Sequence, residues 1–353
     1  MQPIDLRSDT VTRPTPDMLR AMTKAELGDD VLGDDPTVIA LQEKFAALLG
    51  KAAACFVPSG TMANQTSIRA QTEPGDEVIA HADSHIIHYE TGAPAALSGC
   101  MISPLRGERG QFDAEDVEHA ARPASVHAPA SRLLVVENTQ NRGGGSVWSL
   151  DRVARVTAKG RALGLRLHLD GARLWNAGVA TGLKPAQYAA HFDTVSCCFS
   201  KGLGAPVGSA VAGDVETIRR VHRFRKMFGG AMRQAGVLAA AALYAMEHHV
   251  ERLAEDHDNA RRLGEGIANI PGLSLEPSQA RAPGIETNIV FFDVSPELGL
   301  TAADLCKRLK AAGVLMLPPG PRRIRAVTHL DVSREMIDRA LVAIKQAVGV
   351  VRA

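Results

Sequence analysis

Short apolar runs alternate with amphipathic segments along the first two-thirds of the chain, and this alternation restricts the possible folds more than any other feature. One unit consists of an apolar run at residues 53–57, a helical pattern that opens near Thr61, and a second apolar run at residues 77–81. Parallel strands need crossover segments of this kind, and strands that are buried on both faces are apolar throughout. The pattern therefore predicts an α/β fold with a mainly parallel sheet and helices on both faces.

One connection in this pattern is too short for a parallel crossover. The strands predicted at residues 194–199 and 209–212 are separated only by the segment SKGLGAPVG. A parallel crossover takes about a dozen residues or more, so these two strands should run antiparallel. The expected core is a mostly parallel sheet with one antiparallel strand.

The last third of the chain has a different pattern. A long helix is predicted from about residue 231 to 249, with helical sequence continuing to about 270. Beyond it, short strands and two helices predict a smaller α+β unit. The predicted organisation is an N-terminal segment at 1–14, a large domain at 15–248 and a small C-terminal domain at 249–353.

Composition and charge exclude several classes of protein. Of the 353 residues, 45% are hydrophobic and 22% charged, which is ordinary for a globular protein. The net charge is +1 and no long run of one sign occurs, so neither nucleic acid nor a membrane surface is an expected partner. No secretion signal or membrane-spanning stretch is recognisable. The five cysteines form no CxxC pair and are typical of reduced thiols, so a cytoplasmic location is expected.

Two polar residues follow predicted strands of the sheet, where ligands of α/β proteins collect. Asp170 ends the strand LRLHLD, and Lys201 comes just after the next strand. Pyridoxal phosphate requires a lysine for its Schiff base and an acid that keeps its pyridine nitrogen protonated. An ordinary helix cap at Asp170 and a solvated turn lysine at Lys201 explain the same pair equally well.

Ser59-Gly60-Thr61 follows a strand and opens a helix. Gly60 allows close approach of a phosphate, and the helix N-terminus supplies free N–H groups. An ordinary N-cap turn is the alternative. A phosphate site is indicated only in combination with Asp170 and Lys201, because a cofactor bound by that pair would need one.

Three histidines, His81, His85 and His88, follow the strand at residues 77–81. An imidazole here could stack on a flat ring or act as a base near neutral pH. The three could also form a metal cluster, but no further Cys or His set of zinc spacing follows, and we expect no metal.

Taken together, these residues lie within segments that make the chain resemble the L-threonine aldolases of the low-specificity or L-allo kind. The shared segments are DLRSDTVTRPT (5–15), GDDVLGDDPTV (28–38), SGTMANQ (59–65), DSHI-x-x-YE-x-G (83–92), ENTQN-x-GG (137–144), HLDGAR (168–173), SKGLGAPVGS (200–209), GGAMRQAG (229–236) and IRAVTHLDVS (324–333). Each segment alone is a weak signal, and their common order makes the resemblance specific.

The resemblance implies a fold, a cofactor and an activity. The fold is the aspartate-aminotransferase-like fold type I of pyridoxal-phosphate enzymes, with a seven-stranded sheet and a small C-terminal domain. The activity is a carbon–carbon lyase reaction, the retro-aldol cleavage of L-threonine, L-allo-threonine and related β-hydroxy-α-amino acids to glycine and an aldehyde. The implied assembly is a homotetramer, a dimer of dimers with active sites at the dimer interface.

The resemblance also implies roles for individual residues in cofactor binding. Lys201 matches the Schiff-base lysine, and Asp170 matches the partner of the pyridine nitrogen. Gly60 and Thr61 match phosphate-binding positions, and His85 matches the histidine stacked on the ring.

Substrate binding is assigned in the same way. Ser8, Arg173 and Arg325 match the group that holds the substrate carboxylate, a task suited to the planar fork of arginine. Arg173 is also expected at the cofactor. His127 matches a second histidine near the β-hydroxyl, so His85 and His127 are both candidate bases.

Two positions depart from the family pattern, and other functions stay open. Leu32 stands where the family often has tyrosine, and Gln140 where it has histidine. The alternatives are another fold-type-I reaction, namely β-elimination, transamination or racemisation, and a catalytically inert subunit. A nicotinamide-dependent oxidoreductase is disfavoured because no G-x-G-x-x-G follows the first strand.

Overall fold

The computed structural model of the protein describes residues 3–123 and 125–349. The ends of the predicted N-terminal segment and C-terminal domain, residues 1–2 and 350–353, lie outside the described residues. The strands are β1 Ile4–Asp5, β2 Ala53–Val57, β3 Glu77–His81, β4 Met101–Leu105, β5 Ser131–Glu137, β6 Arg166–Asp170, β7 Thr194–Cys198, β8 Ser209–Gly213, β9 Leu273–Leu275, β10 Ile289–Val294, β11 Val314–Leu315 and β12 Arg323–Val327. The α-helices are α1 Pro16–Thr23, α2 Pro36–Leu49, α3 Gly60–Gln71, α4 His85–His88, α5 Ala93–Ser98, α6 Ala114–Ala120, α7 Leu150–Ala162, α8 Leu174–Thr181, α9 Pro185–Ala189, α10 Val215–Met227, α11 Gly236–His248, α12 Leu253–Ala268, α13 Ala302–Ala311 and α14 Arg334–Gly349.

Seven strands form one sheet in the order β2-β8-β7-β6-β5-β3-β4. Strand β8 runs antiparallel to both of its neighbours, and the other pairings are parallel. Strands β7 and β8 thus run antiparallel, as the short connection between them predicts. The predicted fold, a mostly parallel sheet with one antiparallel strand and helices around it, is confirmed.

Local sequence signals account for the burial of several strands and for the two ends of helix α2. Strands β3, β7 and β8 are buried at every position, as expected of strands covered on both faces. Helix α2 begins after Asp35, whose side chain accepts N–H bonds from Thr37 and Val38, and ends at Gly50 in the left-handed conformation.

The prediction of one long helix from about residue 231 to 249 is wrong about where the helix begins. Helix α11 starts only at Gly236, ends at His248, and is separated by a turn from α12. Gly229 has a left-handed φ of 80°, which breaks the preceding helix. The main-chain N–H of Gly236 donates to the distant Asp35 carboxylate at 2.9 Å, a cap that local sequence cannot reveal.

The N-terminal segment packs against the C-terminal part of the chain. Strand β1 pairs with β11 in parallel, and Ile4 and Leu6 belong to the same hydrophobic cluster as Val314 and Ile324. Strands β12, β10 and β9 form an antiparallel sheet beside it. The division of the chain at residue 248 stays a prediction.

This arrangement brings several loops to one edge of the large sheet. Strands β5 and β6 end side by side at Glu137 and Asp170, and β7 ends close to Asp170, three residues before Lys201. The loop that carries His85 follows β3 at the same edge. Within the described ranges, no helix is both long and apolar enough to span a membrane.

Candidate active site

A cavity of about 530 Å³ lies at the carboxyl ends of the parallel strands. It brings together five of the residues that the sequence singles out: Ser8, His85, Arg173, Lys201 and Arg325. The other lining residues are Thr10, Tyr89, Asn141, Arg142, Leu317, Pro318 and Pro319. The cavity therefore combines an amine, an imidazole and three guanidinium groups with an apolar wall.

Asp170 lies buried at the end of β6, with 2% of its surface exposed. Its carboxylate accepts N–H bonds from the side chain of Asn64 at 2.7 Å and from the main chain of Ala172 at 3.1 Å. Both donors are neutral, and among the described residues no arginine or lysine forms an ion pair with Asp170. A buried carboxylate is stabilised by a cationic partner. A protonated pyridine nitrogen would be such a partner, so this position fits the predicted cofactor.

His85 is oriented by a buried glutamate. The ring Nδ1 lies 2.7 Å from Oε1 of Glu90, which also accepts a bond from the side-chain amide of Asn64 at 2.8 Å, while Oε2 of Glu90 accepts one from Gln65 at 2.5 Å. Burial alone would lower the pKa of His85, but the hydrogen bond to Glu90 and the charge of Asp170 raise it above its usual value. Since Nδ1 is bound to Glu90, Nε2 is the ring nitrogen left free for chemistry.

The three histidines His81, His85 and His88 do not converge on one point. His81 and His88 each direct Nε2 to a main-chain carbonyl oxygen, at 3.1 and 3.0 Å. Instead, His85, Glu90 and Asp170 place one potential ligand atom each within 4.8 Å of one another. Amide N–H groups of helix α3 point at both carboxylates and would repel a cation. These contacts fit a hydrogen-bond network.

Arg173 is paired within the protein. Its Nε and Nη2 atoms donate to the two carboxylate oxygens of Asp9 at 2.7 Å each, and only Nη1 is directed elsewhere, toward Asn141 at 3.4 Å. Burial would raise the pKa of Asp9, but the charge of Arg173, with those of Lys201 and Arg325, holds it well below its usual range. The expected bidentate contact of Arg173 with a substrate carboxylate is thus already occupied by Asp9.

Arg325 is less completely paired. Its Nη2 donates to Oδ1 of Asn141 at 2.8 Å, while its Nε is buried without a hydrogen-bond partner among the described residues. Burial and the nearby charge of Arg173 lower the pKa of Arg325 to about 10. Ser8 lines the same space, and its hydroxyl accepts a bond from Thr10 at 2.8 Å. This wall of the cavity is suited to an anion.

Gly60 and Thr61 form the first turn of α3, after the cap Ser59, and lie outside the main cavity. A Cβ atom at Gly60 would come within 2.8 Å of Sγ of Cys198, so only glycine fits without a shift. The first N–H groups of a helix have no partner within the helix. Because Asn64 on the same helix bonds Asp170, helix α3 links this free N-terminus to the buried carboxylate.

Three other residues that the sequence singled out lie away from the cavity. His127 is exposed and precedes Ser131 at the amino end of β5, the edge opposite to Asp170, so one chain does not bring it to the site. Leu32 is 75% exposed. Gln140 is buried, donates to the carbonyl oxygen of Asp83 at 2.9 Å and braces the loop after β5.

Five polar residues that hold the site together were not singled out from the sequence. These residues are Asp9, Asn64, Glu90, Glu137 and Asn141. All of them lie within shared segments, such as SDT and ENTQN, which was the available signal. Their pairing depends on tertiary contacts and could not be deduced from spacing.

A lysine, a buried aspartate and a helix N-terminus at the carboxyl ends of this sheet define a pyridoxal-phosphate enzyme of fold type I. The profile of the family described as beta-eliminating lyase matches residues 5–294. A probable low-specificity L-threonine aldolase of Arabidopsis thaliana is 42% identical over 94% of this chain and 93% of its own length. The low specificity L-threonine aldolase of Escherichia coli K12 is also 42% identical, over 95% and 96%.

A solved structure shares the fold. The threonine aldolase of Leishmania major superposes with a TM-score of 0.82 at 22% identity, over 98% of this chain and all of that one. The chain therefore belongs to the beta-eliminating lyase family and, within it, to the L-threonine aldolases. Members of this family depend on pyridoxal phosphate.

Proposed function

We propose that this pocket cleaves L-threonine, L-allo-threonine and related β-hydroxy-α-amino acids to glycine and an aldehyde, with pyridoxal phosphate as cofactor. The observation that supports it best is the convergence of Lys201, His85 and Arg325 on one cavity beside the buried Asp170. The two relatives described above are named as L-threonine aldolases.

The residues present fit the cofactor. Lys201 would bind its aldehyde carbon, Asp170 would pair with its ring nitrogen, and His85 would lie against its ring. Gly60 and Thr61 would bind its phosphate at the N-terminus of α3. When bound, the cofactor supplies an electron sink for the electron pair that is released as the Cα–Cβ bond breaks.

Arg325 is the main anchor for the substrate carboxylate in this proposal. Its buried guanidinium has donors to spare, whereas Arg173 is engaged by Asp9 and contributes through Nη1 and its charge. The N-terminal segment 1–14 contributes through Ser8, whose hydroxyl lies in the same wall. Fixing the carboxylate orients the bond to be broken.

His85 is the proposed proton acceptor. Its Nε2 takes the β-hydroxyl proton as the carbon–carbon bond breaks, while Glu90 holds Nδ1 and stabilises the resulting imidazolium. Among the described residues, His85 is the one histidine that lines the cavity. His127 could take part in the reaction only if another subunit supplied it.

Product analysis tests this proposal. Purified holoenzyme incubated with L-threonine should form acetaldehyde and glycine in equal amounts, and Lys201→Ala should lose both the activity and the absorption of the lysine-bound cofactor. Formation of a keto acid and ammonia instead would indicate β-elimination, which the family description includes, and would contradict the aldolase proposal.

We further propose that the chain assembles as a homotetramer, a dimer of dimers whose sites lie at the dimer interface. In support, Leu32 and Met227 are exposed apolar side chains. The segment of Leu32 is held rigidly by the buried ion pair of Asp30 with Arg225 at 2.8 Å. Exposed apolar side chains on a fixed surface are typical of subunit interfaces.

A cytoplasmic location is proposed as well. All five cysteines are unpaired, and four of them are buried. Unpaired thiols are usual in reducing compartments, whereas secreted proteins tend to form disulfides.

A further inference from the structure

Glu137 is a buried carboxylate that the proposed reaction does not use directly. It ends β5 and lies opposite Asp170 in the ladder between β5 and β6, with 7% of its surface exposed. Its Oε2 accepts the main-chain N–H of His85 at 2.7 Å, and its Oε1 accepts the main-chain N–H of Asn141 at 2.8 Å. One side chain is thus bonded to two different loops of the cavity.

The two loops have different tasks in the proposed function. The first begins α4 and carries the ring of His85. The second carries Asn141, whose Oδ1 accepts bonds from Arg325 at 2.8 Å and from Arg173 at 3.4 Å. A displacement of Glu137 would therefore move both the proton acceptor and the residue that orients the carboxylate anchors.

We propose that Glu137 is a positioning residue that fixes His85 and Asn141 relative to each other, and so sets the distance between the proton acceptor and the substrate carboxylate. This role rests on the proposed function. Both oxygens of the side chain accept N–H bonds in this role, and the ionised carboxylate accepts them more strongly than the protonated acid.

The surroundings of Glu137 agree with a role other than stabilisation. Burial and the neighbouring charge of Asp170 raise the pKa of Glu137, while the N–H bonds from Asn141 and His85 and the charge of His85 oppose that rise. The charged groups that face it are Asp170 from β6, His85 from α4 and Arg173 from the start of α8. A buried acid beside a second buried acid weakens a fold unless other contacts compensate.

Glu137→Gln is the direct test, because it keeps the shape of the side chain and places an N–H₂ group against one of the two N–H donors. Glu77→Gln is the matched control. Glu77 is a fully buried glutamate at the start of β3, it bonds Ser131 at 2.8 Å, and it lies at the opposite edge of the sheet from the cavity. Glu137→Asp is the second variant, since its shorter side chain keeps the charge but can reach only one of the two loops.

Three quantities are measured on each holoenzyme: kcat and KM for L-threonine, the affinity for glycine by calorimetry, and the midpoint of thermal unfolding. Glu137→Gln should lower kcat by about tenfold or more, as a small displacement of a reacting group can. It should also weaken glycine binding by about threefold or more, the equivalent of a lost hydrogen bond. Glu77→Gln should leave kcat and glycine affinity unchanged, and Glu137→Asp should fall between wild type and Glu137→Gln.

Equal kcat and glycine affinity in Glu137→Gln and Glu77→Gln would overturn the proposal. A change in only one of the two quantities would also overturn it, because the two loops would then not be linked through Glu137. A wild type that cleaves no threonine would contradict the proposed function alone, and the glycine affinities of the variants would then decide the role of Glu137 separately.

Discussion

At the scale of single residues, Asp9 neutralises the guanidinium of Arg173 deep inside the protein. The pair forms two hydrogen bonds of 2.7 Å, and both side chains are almost wholly buried. Removing one partner of a buried ion pair leaves the other charge uncompensated, which typically destabilises a protein by about 3–5 kcal/mol.

Asp9→Asn should accordingly lower the free energy of unfolding by about 3–5 kcal/mol at neutral pH. Because the pKa of Asp9 is lowered in the folded state, its contribution is present above about pH 3.9, the unfolded value, and is lost as the pH falls below it. Denaturant unfolding at several pH values measures both effects.

Asp5→Asn is the control for this variant, since Asp5 lies four residues before Asp9 and pairs with Arg7, whose side chain is exposed. An exposed pair contributes about 0–1 kcal/mol, so the loss should be correspondingly small. Equal losses in the two variants would contradict the importance assigned to the buried pair.

Glu90 should control the pH dependence of the reaction through His85. The pKa of His85 is raised, so the free base at Nε2 becomes available only as the pH rises past a value above the usual 6.5. Glu90→Gln removes the carboxylate that raises this pKa, and the rise of kcat/KM with pH should then occur at lower pH.

Profiles of kcat/KM against pH for wild type and Glu90→Gln measure the shift. Asp83→Asn is a suitable comparison, because Asp83 is an exposed carboxylate that does not contribute to the raised pKa of His85. An unchanged midpoint in Glu90→Gln would show that Glu90 does not set the protonation of His85.

At the scale of elements, α3 joins the two ends of the cofactor site. Its first turn provides Gly60 and free N–H groups, and one turn later Asn64 bonds both Asp170 and Glu90. Substitution at the start of this helix should thus affect cofactor binding without directly altering the groups around His85.

Gly60→Ala should weaken the binding of pyridoxal phosphate, because the new Cβ would lie 2.8 Å from Sγ of Cys198 and force the phosphate-binding turn to move. Equilibrium dialysis of the apoprotein with the cofactor measures this affinity. Gly349→Ala, where a Cβ meets no atom within 4 Å, is the control. Equal affinities in the two variants would exclude the turn at Gly60 as the phosphate site.

Sequence patterns predict elements well where the determining contacts are local. The bounds of β2 and β3 match, and α2 lies between Asp35 and Gly50 as its caps indicate. The antiparallel strand β8 follows from loop length alone. The start of α11 could not be predicted, because its cap comes from Asp35, 201 residues away.

The same distinction applies to the site. Lys201 and Asp170 could be singled out because residues after parallel strands meet at one edge of a sheet. The pairing of Arg173 with Asp9, 164 residues away, and the contact of Glu137 with His85 are tertiary facts. The family resemblance implies that Arg173 holds the substrate carboxylate, and it could not reveal that the structure pairs this guanidinium with Asp9.

At the scale of the whole molecule, the cavity is lined by residues from parts of the chain that pack in two different hydrophobic clusters. Lys201 and Arg173 come from loops over the large sheet, whereas Arg325 lies on β12, beside the N-terminal strand β1 and its partner β11. The substrate wall therefore depends on the packing of the N-terminal segment against the C-terminal part.

The exposed position of Leu32 allows a test of the assembly. Light scattering coupled to gel filtration should give a tetramer for the wild type, and Leu32→Asp should shift it to smaller species by placing a charge in an apolar interface. Val342→Asp changes an equally apolar but distant exposed residue on α14 and should leave the mass unchanged. A monomeric, fully active wild type would contradict the proposed interface site.

The attachment of the cofactor at Lys201 is the most direct point at which the whole account can be tested. Reduction of the holoenzyme with borohydride makes the lysine–cofactor bond permanent, and peptide mass spectrometry then locates it. The account predicts one labelled residue per chain, Lys201, and no label in Lys201→Ala. Label on a different lysine, or a folded protein that takes up no cofactor, would contradict it.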